Sequence, residues 1–281
     1  MLYLCIAFLN KFAMEKHFFL DDSPMFRMIE LDEVDSTNNF LRHLDTPGDN
    51  RMTLVTAEFQ TAGRGADRNH WESAKGENLL LSLRVMPSNL PARRMFAISE
   101  VAALTVRDAL DAFLPIAQCS MFNVQCSMFN VKWPNDIYFG DSKVAGILIE
   151  NDLQGALVQR STIGIGININ QRHFLSDAPN PRSLADIVGH DVVRRFVLEQ
   201  FMESFTHYFE QIETGNQEAL DALHKQYKTH LYRRGEEHTY SDKEGTFRAI
   251  LTDVEPTGHL ILQDTKGKQR RYEFKEVKYE I

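Results

Sequence analysis

The chain has 281 residues, with 31 Lys+Arg against 39 Asp+Glu and a formal net charge of −8. Its 43% hydrophobic and 25% charged residues describe a globular protein with a sizeable core, which excludes a disordered, collagenous or membrane-embedded chain. The acidic balance argues against a protein whose main work is gripping nucleic-acid phosphate, yet leaves room for a local basic site that holds a small phosphate compound.

Residues 1–27 are read as a poorly ordered leader. Its apolar start, MLYLCIAFL, is too short to span a bilayer and has neither a preceding basic residue nor a cleavage site. Three cysteines, Cys5, Cys119 and Cys126, are too few for a disulfide framework and form no CxxC pair, which fits a cytoplasmic setting. Arg27–Val34 reads as a strand, and Ser36 stands as the N-cap of a short helix over 38–44. Thr53–Glu58 is a β-rich run. The polar stretch 60–78 holds Gly63, Gly65 and Gly76, and is long enough to suggest a functional loop. Leu79–Val85 is an apolar strand. Residues 93–114 carry helical spacing ended by Pro115. Val131–Phe139, Val144–Glu150 and Leu157–Ile169 read as strands, the last two joined by a turn at Asp152–Gly155. Helices follow over 183–189, 191–213 and 217–230. From Arg233 the texture turns to short β-runs (His238–Tyr240, Thr246–Val254, His259–Gln263, Arg270–Phe274) between turns, which suggests a small β-barrel over 233–281. Its ten Lys+Arg balance ten Asp+Glu, so it offers no obvious nucleic-acid grip.

The heptapeptide QCSMFNV occurs at 118–124 and again at 125–131. An odd insertion inverts the faces of a period-two strand. The second copy is therefore expected to keep the register, with Phe129, Val131 and Trp133 on one face, and the first to bulge outward.

Four motifs carry candidate chemistry. In Gly63-Arg64-Gly65-Ala66-Asp67-Arg68-Asn69-His70-Trp71 the glycines allow a tight turn with N–H groups near an anion. Arg64 and Arg68 add charge there, and Trp71 offers a stacking face or a core anchor. In Lys132-Trp133-Pro134-Asn135-Asp136 the Pro-Asn-Asp step must break a strand and expose polar groups. Lys143 opens the next strand, with a compact charge suited to phosphate or carboxylate. In Ile163-Gly164-Ile165-Gly166-Ile167-Asn168 alternate glycines leave a bare strip on which a flat ligand can lie, and Asn168 supplies donor and acceptor. Asp35-Ser36-Thr37-Asn38 is either a helix cap or a cluster fit to bind a urea or amide head. The ten histidines show no metal spacing, and no GxSxG, Walker or HExxH motif occurs. No metal ligand and no protein nucleophile is assigned.

Taken in order, DSTN at 35–38, TAGRG…W at 61–71, KWPND…KVAGILIE at 132–150 and GIGININ at 164–170 resemble the bacterial biotin protein ligases (biotin–[acetyl-CoA-carboxylase] ligases). The resemblance runs from about residue 28 to the end. It implies an α+β, class II synthetase-like catalytic domain over 28–232, built on a mixed, mostly antiparallel sheet flanked by helices, with an SH3-like barrel over 233–281. It implies two steps on two substrates, biotin and ATP with Mg²⁺. Biotin's carboxylate attacks the α-phosphate to give biotinyl-5′-AMP, and a lysine of a biotin carboxyl carrier protein then takes the acyl group. Ser36, Thr37, Asn38 and Gln60 would hold the ureido head and ring. Gly63, Arg64, Gly65 and Ala66 would border the carboxylate and phosphate, with Trp71 on the adenine side. Lys143, Arg64 and Asp136 would carry the chemistry, Lys132 and Asn135 would join the ligand set, and Gly146, Gly164, Gly166 and Asn168 would form the floor and nucleotide edge. The pattern departs from the family at Ala66, usually a long polar side chain whose loss weakens closure over the adenylate, and at Arg68, usually glycine. Residues 1–27 are too few for a winged-helix domain, so no DNA binding is expected; no membrane partner is expected either, and a homodimer is compatible with the family. Two readings compete: a lipoate or octanoate transferase of the same fold, and a non-catalytic biotin-binding regulator.

Overall fold

In the computed structural model, residues 26–45, 52–65, 69–114, 128–175 and 180–281 are described. The leader as far as residue 25, Ala66, Arg68, Pro115 and the first heptapeptide copy lie outside them.

A seven-stranded sheet is built from β1 (Phe26–Val34), β2 (Met52–Gln60), β3 (Leu79–Val85), β4 (Phe129–Lys132), β5 (Asp136–Phe139), β6 (Ser142–Gln154) and β7 (Leu157–Ile167), in the order β1-β2-β3-β7-β6-β5-β4. β1 and β2 are parallel and every other neighbour is antiparallel, so the sheet is mixed and mostly antiparallel, as expected. β3 and β7 sit centrally, and every residue of β3 is buried, which explains its near-continuous apolar run. Short α1 (Thr37–His43) packs on β2, β3 and β7; α2 (Phe96–Asp111) packs on β4, β5 and β6 and against α4 (Arg194–Glu213) and α5 (Gln217–Thr229). Alanines at 97, 102, 103 and 109 of α2 are fully or almost fully buried; small side chains let the helix approach its neighbours closely.

Several boundaries differ from the sequence reading. Val131–Phe139 is two strands, because the Trp133–Asn135 turn interrupts them, with a cis Trp133–Pro134 bond. β7 ends at Ile167; Asn168 N–H still reaches the Val144 carbonyl of β6 at 2.9 Å, and the chain then leaves the ladder, with Ile169 N–H donating to the Asn78 side chain at 3.0 Å. β6 runs on to Gln154 and turns at Gly155, whose φ of +60° suits glycine. Phe129, Val131 and Trp133 are all buried on one side, so the second heptapeptide copy does hold the strand register. α3 (Leu184–Val188) is capped by Ser183, which accepts from the Asp186 N–H.

The C-terminal strands β8 (Glu237–Asp242), β9 (Gly245–Val254), β10 (Leu260–Asp264), β11 (Gln269–Tyr272) and β12 (Val277–Tyr279) form an antiparallel sheet in the order β11-β10-β9-β8-β12, consistent with an SH3-like unit. Three-residue β12 was too short to read from pattern. This unit meets the larger one at Trp133. The indole N–H donates to the Gly258 carbonyl at 2.9 Å, and the ring stands edge-on to Phe274. Gly258 has φ +92°, and a Cβ there would lie 2.6 Å from the Phe96 ring, so both conformation and space require glycine.

Candidate active site

All four motifs open onto one cleft of about 510 Å³. It is bounded by the N-terminus of α1, the 63–71 loop, the Trp133–Asp136 turn and the edge of the C-terminal unit. The pleat of the sheet sets the floor. Along β7, Ile163, Ile165 and Ile167 enter the core on one face, while Gly164 and Gly166 fall on the other.

At one end of the cleft, Ser36 terminates α1 with extended dihedrals but makes no side-chain cap bond; its neighbours are committed elsewhere. The Thr37 N–H and hydroxyl reach Gln60 Oε1 at 2.8 and 3.0 Å. Ser82 Oγ lies 2.7 Å from Thr37 Oγ1 and 2.5 Å from Asn38 Oδ1. Asn38 Nδ2 donates to Glu150 Oε2 at 3.2 Å. Thr37, Asn38 and Ser82 are each at most 3% exposed. This corner is therefore a buried polar cluster whose members bond one another, and the helix-cap reading does not describe it. Arg64 belongs to it as well: its guanidinium bonds Glu150 at 3.0 Å and Asn39 Oδ1 at 3.0 Å, and Arg42 meets the same carboxylate at 2.7 Å.

The glycine-arginine loop is described up to Gly65 and again from Asn69. Neither Gly63 nor Gly65 has positive φ. Instead the segment folds back on itself: Gly65 N–H donates to the Asn69 carbonyl at 2.8 Å and Trp71 N–H to the Gly63 carbonyl at 3.0 Å. A Cβ on Gly63 would lie 2.6 Å from the Trp71 carbonyl oxygen, so this glycine serves close backbone approach. The fold-back delivers Trp71 onto the floor. Gly146 and Gly166 are register partners, and a Cβ on either would come within 2.8 or 2.3 Å of the indole. The flat group on the glycine strip is thus the protein's own Trp71, whose Nε1 is buried with no hydrogen-bond partner among the described residues. Gly164 accommodates Asn38 in the same way, with a Cβ–Oδ1 separation of only 2.2 Å.

At the other end, Lys143 Nζ bonds Asp136 Oδ2 at 2.6 Å and stands 5.8 Å from the Trp71 ring. Lys132 donates to the Tyr138 hydroxyl at 3.2 Å and lies against the Tyr138 and Tyr279 rings. Burial holds the Lys132 ammonium below the usual lysine range, with Lys143 adding repulsion and Asp136 opposing both. Asn135 lines the same end.

Of the residues singled out from sequence, Ser36, Thr37, Asn38, Gln60, Arg64, Gly65, Trp71, Lys132, Asn135, Asp136, Lys143, Gly146, Gly164 and Gly166 all line the cleft. Gly63 shapes the loop from behind, and Ala66 lies outside the described residues. Asn168 lies below the lining, with Nδ2 3.4 Å from the Arg182 carbonyl oxygen and Oδ1 buried with no partner among the described residues. Ser82 and Glu150 were missed, as was the contribution of Phe274, Lys275 and Tyr279 from the C-terminal unit. A lone serine inside the fully buried LLLSLRV run was the available signal for Ser82. Among the described residues no group of three or more His, Cys, Asp or Glu could hold a metal ion, and no helix is long and apolar enough to cross a membrane.

A cleft that couples a neutral polar corner to a lysine-lined end across a glycine floor defines a protein that brings an uncharged head group and an anionic group together. Residues 31–168 match the Biotin/lipoate A/B protein ligase family. The biotin–[acetyl-CoA-carboxylase] ligase of Paracoccus denitrificans is 30% identical over 245 residues, covering 85% of this chain and 95% of that protein. The bifunctional ligase/repressor BirA of Bacillus spizizenii is 27% identical over 250 residues, 87% of this chain and 72% of that one. A mutant form of the biotin protein ligase from Aquifex aeolicus, solved in complex with biotin, superposes with a TM-score of 0.69 at 25% identity, covering 90% of this chain and 98% of that one. The chain belongs to the biotin protein ligase family.

Proposed function

We propose that this ligase joins biotin to a lysine of a carboxylase's biotin carboxyl carrier protein, in two steps at the one cleft. Ligation of a carboxylate to an amine is uphill, and ATP supplies the drive. The biotin carboxylate attacks the α-phosphate to give biotinyl-5′-AMP and pyrophosphate. The carrier amine then attacks the acyl carbon, and AMP leaves. The mixed anhydride is itself the activated species, so the reaction needs no protein nucleophile.

The observation that carries this reading is the polarity of the cleft along its length. Thr37, Asn38 and Gln60 present amide and hydroxyl groups suited to a neutral ureido head, with Ser36 beside them. Lys143 and Lys132 stand at the opposite end, where two anions must meet. In this reading Lys143 leaves Asp136 to bond the biotin carboxylate and the developing charge, and Arg64 borders the same group. Trp71 lines the adenine side. Gly146, Gly164 and Gly166 keep the floor low enough for these side chains. Mg²⁺ fits as a companion of the triphosphate: Asp136 and Asn135 are the oxygen donors at that end, and an ion held mainly by phosphate and water needs few protein ligands. When bound it offsets phosphate charge. Residues 28–232 act as the catalytic unit, with 233–281 as a second unit that walls its charged end.

Biotin-dependent ATP–pyrophosphate exchange by the purified chain, followed by transfer of labelled biotin to a carrier domain, tests the proposal. Transfer of lipoate in place of biotin would refute it, and binding of biotin without exchange would favour a regulator.

A further inference from the structure

The corner occupied by Thr37, Asn38 and Gln60 is read above as the ureido seat, and this inference rests on that reading. None of those side chains has an intrinsic polarity: a hydroxyl rotates, and an amide offers oxygen or nitrogen according to its orientation. Something fixed must decide which way each one faces.

We infer that Glu150, acting through Asn38 and Ser82, is the positioning residue that makes the ureido seat a hydrogen-bond donor. Glu150 receives Arg42 and Arg64 and, as a carboxylate between two guanidinium groups, only accepts. Asn38 must therefore turn its Nδ2 toward Glu150 (3.2 Å), leaving Oδ1 to face Ser82 at 2.5 Å. Ser82 spends its single proton on that oxygen, so across the 2.7 Å contact its own oxygen accepts from the Thr37 hydroxyl. The Thr37 backbone N–H, and not the hydroxyl that lies 3.0 Å from the same oxygen with its one proton turned to Ser82, then holds Gln60 Oε1 at 2.8 Å. The result is one direction of donation, from Thr37 to Ser82 to Asn38 to Glu150. Gln60 has its oxygen tied inward and its Nε2 left over, and Asn38 has its second N–H left over. A ligand at this corner meets surplus donors and must bring an acceptor. A cyclic urea carbonyl does so; a dithiolane or alkyl chain does not, and would leave those buried groups unpaired. Gly164 completes the device, because only a residue without Cβ lets Asn38 lie where both partners reach it.

The test is biotin-dependent ATP–pyrophosphate exchange with KM determined separately for biotin and ATP, and thermal melts recorded for each variant. Ser82→Ala and Glu150→Gln should each raise the biotin KM roughly ten- to a hundredfold, with kcat and the ATP KM within about threefold of the unaltered protein. Asn38→Asp sets two carboxylates face to face and should lose biotin still more heavily. Adding Glu150→Gln to Asn38→Asp restores a donor opposite an acceptor without reversing the chain, so the double variant should recover at least about tenfold in biotin KM over Asn38→Asp alone. A role in packing alone predicts no such recovery. If Asn38→Asp does not fold, Gly164→Ala carries the same test by displacing Asn38. An unchanged biotin KM in Ser82→Ala or Gly164→Ala, or a double variant no better than Asn38→Asp, overturns the inference. Absence of any biotin-dependent exchange by the unaltered chain is a different result, and removes the biotin reading together with this one.

Discussion

The two ends of the cleft are built on opposite plans. At the α1 end, Thr37, Asn38, Ser82 and Gln60 bond one another and drain into Glu150, so the seat is oriented before anything binds. At the Lys143 end the groups are in tension: Lys132 is held below its usual range by burial and by Lys143, Asp136 is the carboxylate bonded to Lys143, and Trp71 Nε1 has no partner among the described residues. A pre-oriented polar network gives specificity, because a wrong ligand leaves its spare donors unpaired. An unfinished charged one suits chemistry, because the arriving anion supplies what is missing and gains most where charge develops. Selection belongs to one end and reaction to the other, and substitutions should separate them.

Lys143→Ala is the largest expected effect. It should slow adenylate formation by about 10²–10³-fold, the scale for loss of one group that stabilises developing charge. It should change the melting temperature far less than it slows exchange, since the lost group is one partner of a half-buried ion pair with Asp136 and not a member of the core. Pyrophosphate exchange beside a thermal melt checks both halves; normal exchange would dissolve the division of labour. Gly166→Val comes next. Its Cβ would fall 2.3 Å from the Trp71 ring, so the indole must leave the floor. The ATP KM should rise about tenfold while the biotin KM moves less. Trp71 and Trp133 are the two tryptophans, so fluorescence in a Trp133→Phe background reports the displacement directly. Trp133→Phe itself loses the bond to the Gly258 carbonyl and should cost about 1 kcal/mol in chemical denaturation. Its kinetic effect should be confined to the charged end, where the C-terminal unit contributes Phe274 and Lys275.

Which parts of this were legible in advance follows from the range of the forces involved. Strict alternation at Ile163–Ile167 gave β7 and its floor directly, because a two-residue period encodes a face. The resemblance led to Lys143 and Trp71, and the cleft holds both. What could not be read was who partners whom. Gly166 announces that something lies close above it, and a flat ligand was the natural guess; only the fold shows that the loop returns Trp71 there from 95 residues upstream. Ser82 was read as one more strand residue, since its meaning depends on Asn38 and Thr37 across the sheet. Glu150 closes the KVAGILIE motif with no role legible from its spacing, because a carboxylate acts as a proton-direction setter only once the donors around it are known. Arg64 is legible as a neighbour of the biotin carboxylate and phosphate, but its bonds to Glu150 and Asn39 are not, because both partners lie on other elements.

The smallest effect reaches the charged end from behind. His230 follows α5, and its carbonyl accepts the Val131 N–H at 2.8 Å, one residue before Lys132. Its ring accepts from Arg107 Nη1, with Nδ1 at 2.6 Å, which requires a neutral imidazole. Burial first, and the Arg107 charge second, depress its pKa to about 4 from an ordinary 6.5. The sign follows from proton counting. Between pH 6.5 and about 4 the unfolded chain binds a proton that the folded chain refuses, so stability falls as pH is lowered through that window and is insensitive to this group above it. Thermal melts from pH 7.5 to 4.5 should therefore decline, and His230→Gln, which keeps an acceptor for Arg107 but does not titrate, should flatten that slope. Hydrogen exchange at pH 5 sharpens the result. Loosening should be greater at Val131 and Lys132 than at Thr37 and Asn38, because the acid-sensitive group braces only the reacting end. Equal loosening at both would mean that the two ends share one cooperative unit, and the separation drawn between them would then hold for chemistry but not for stability.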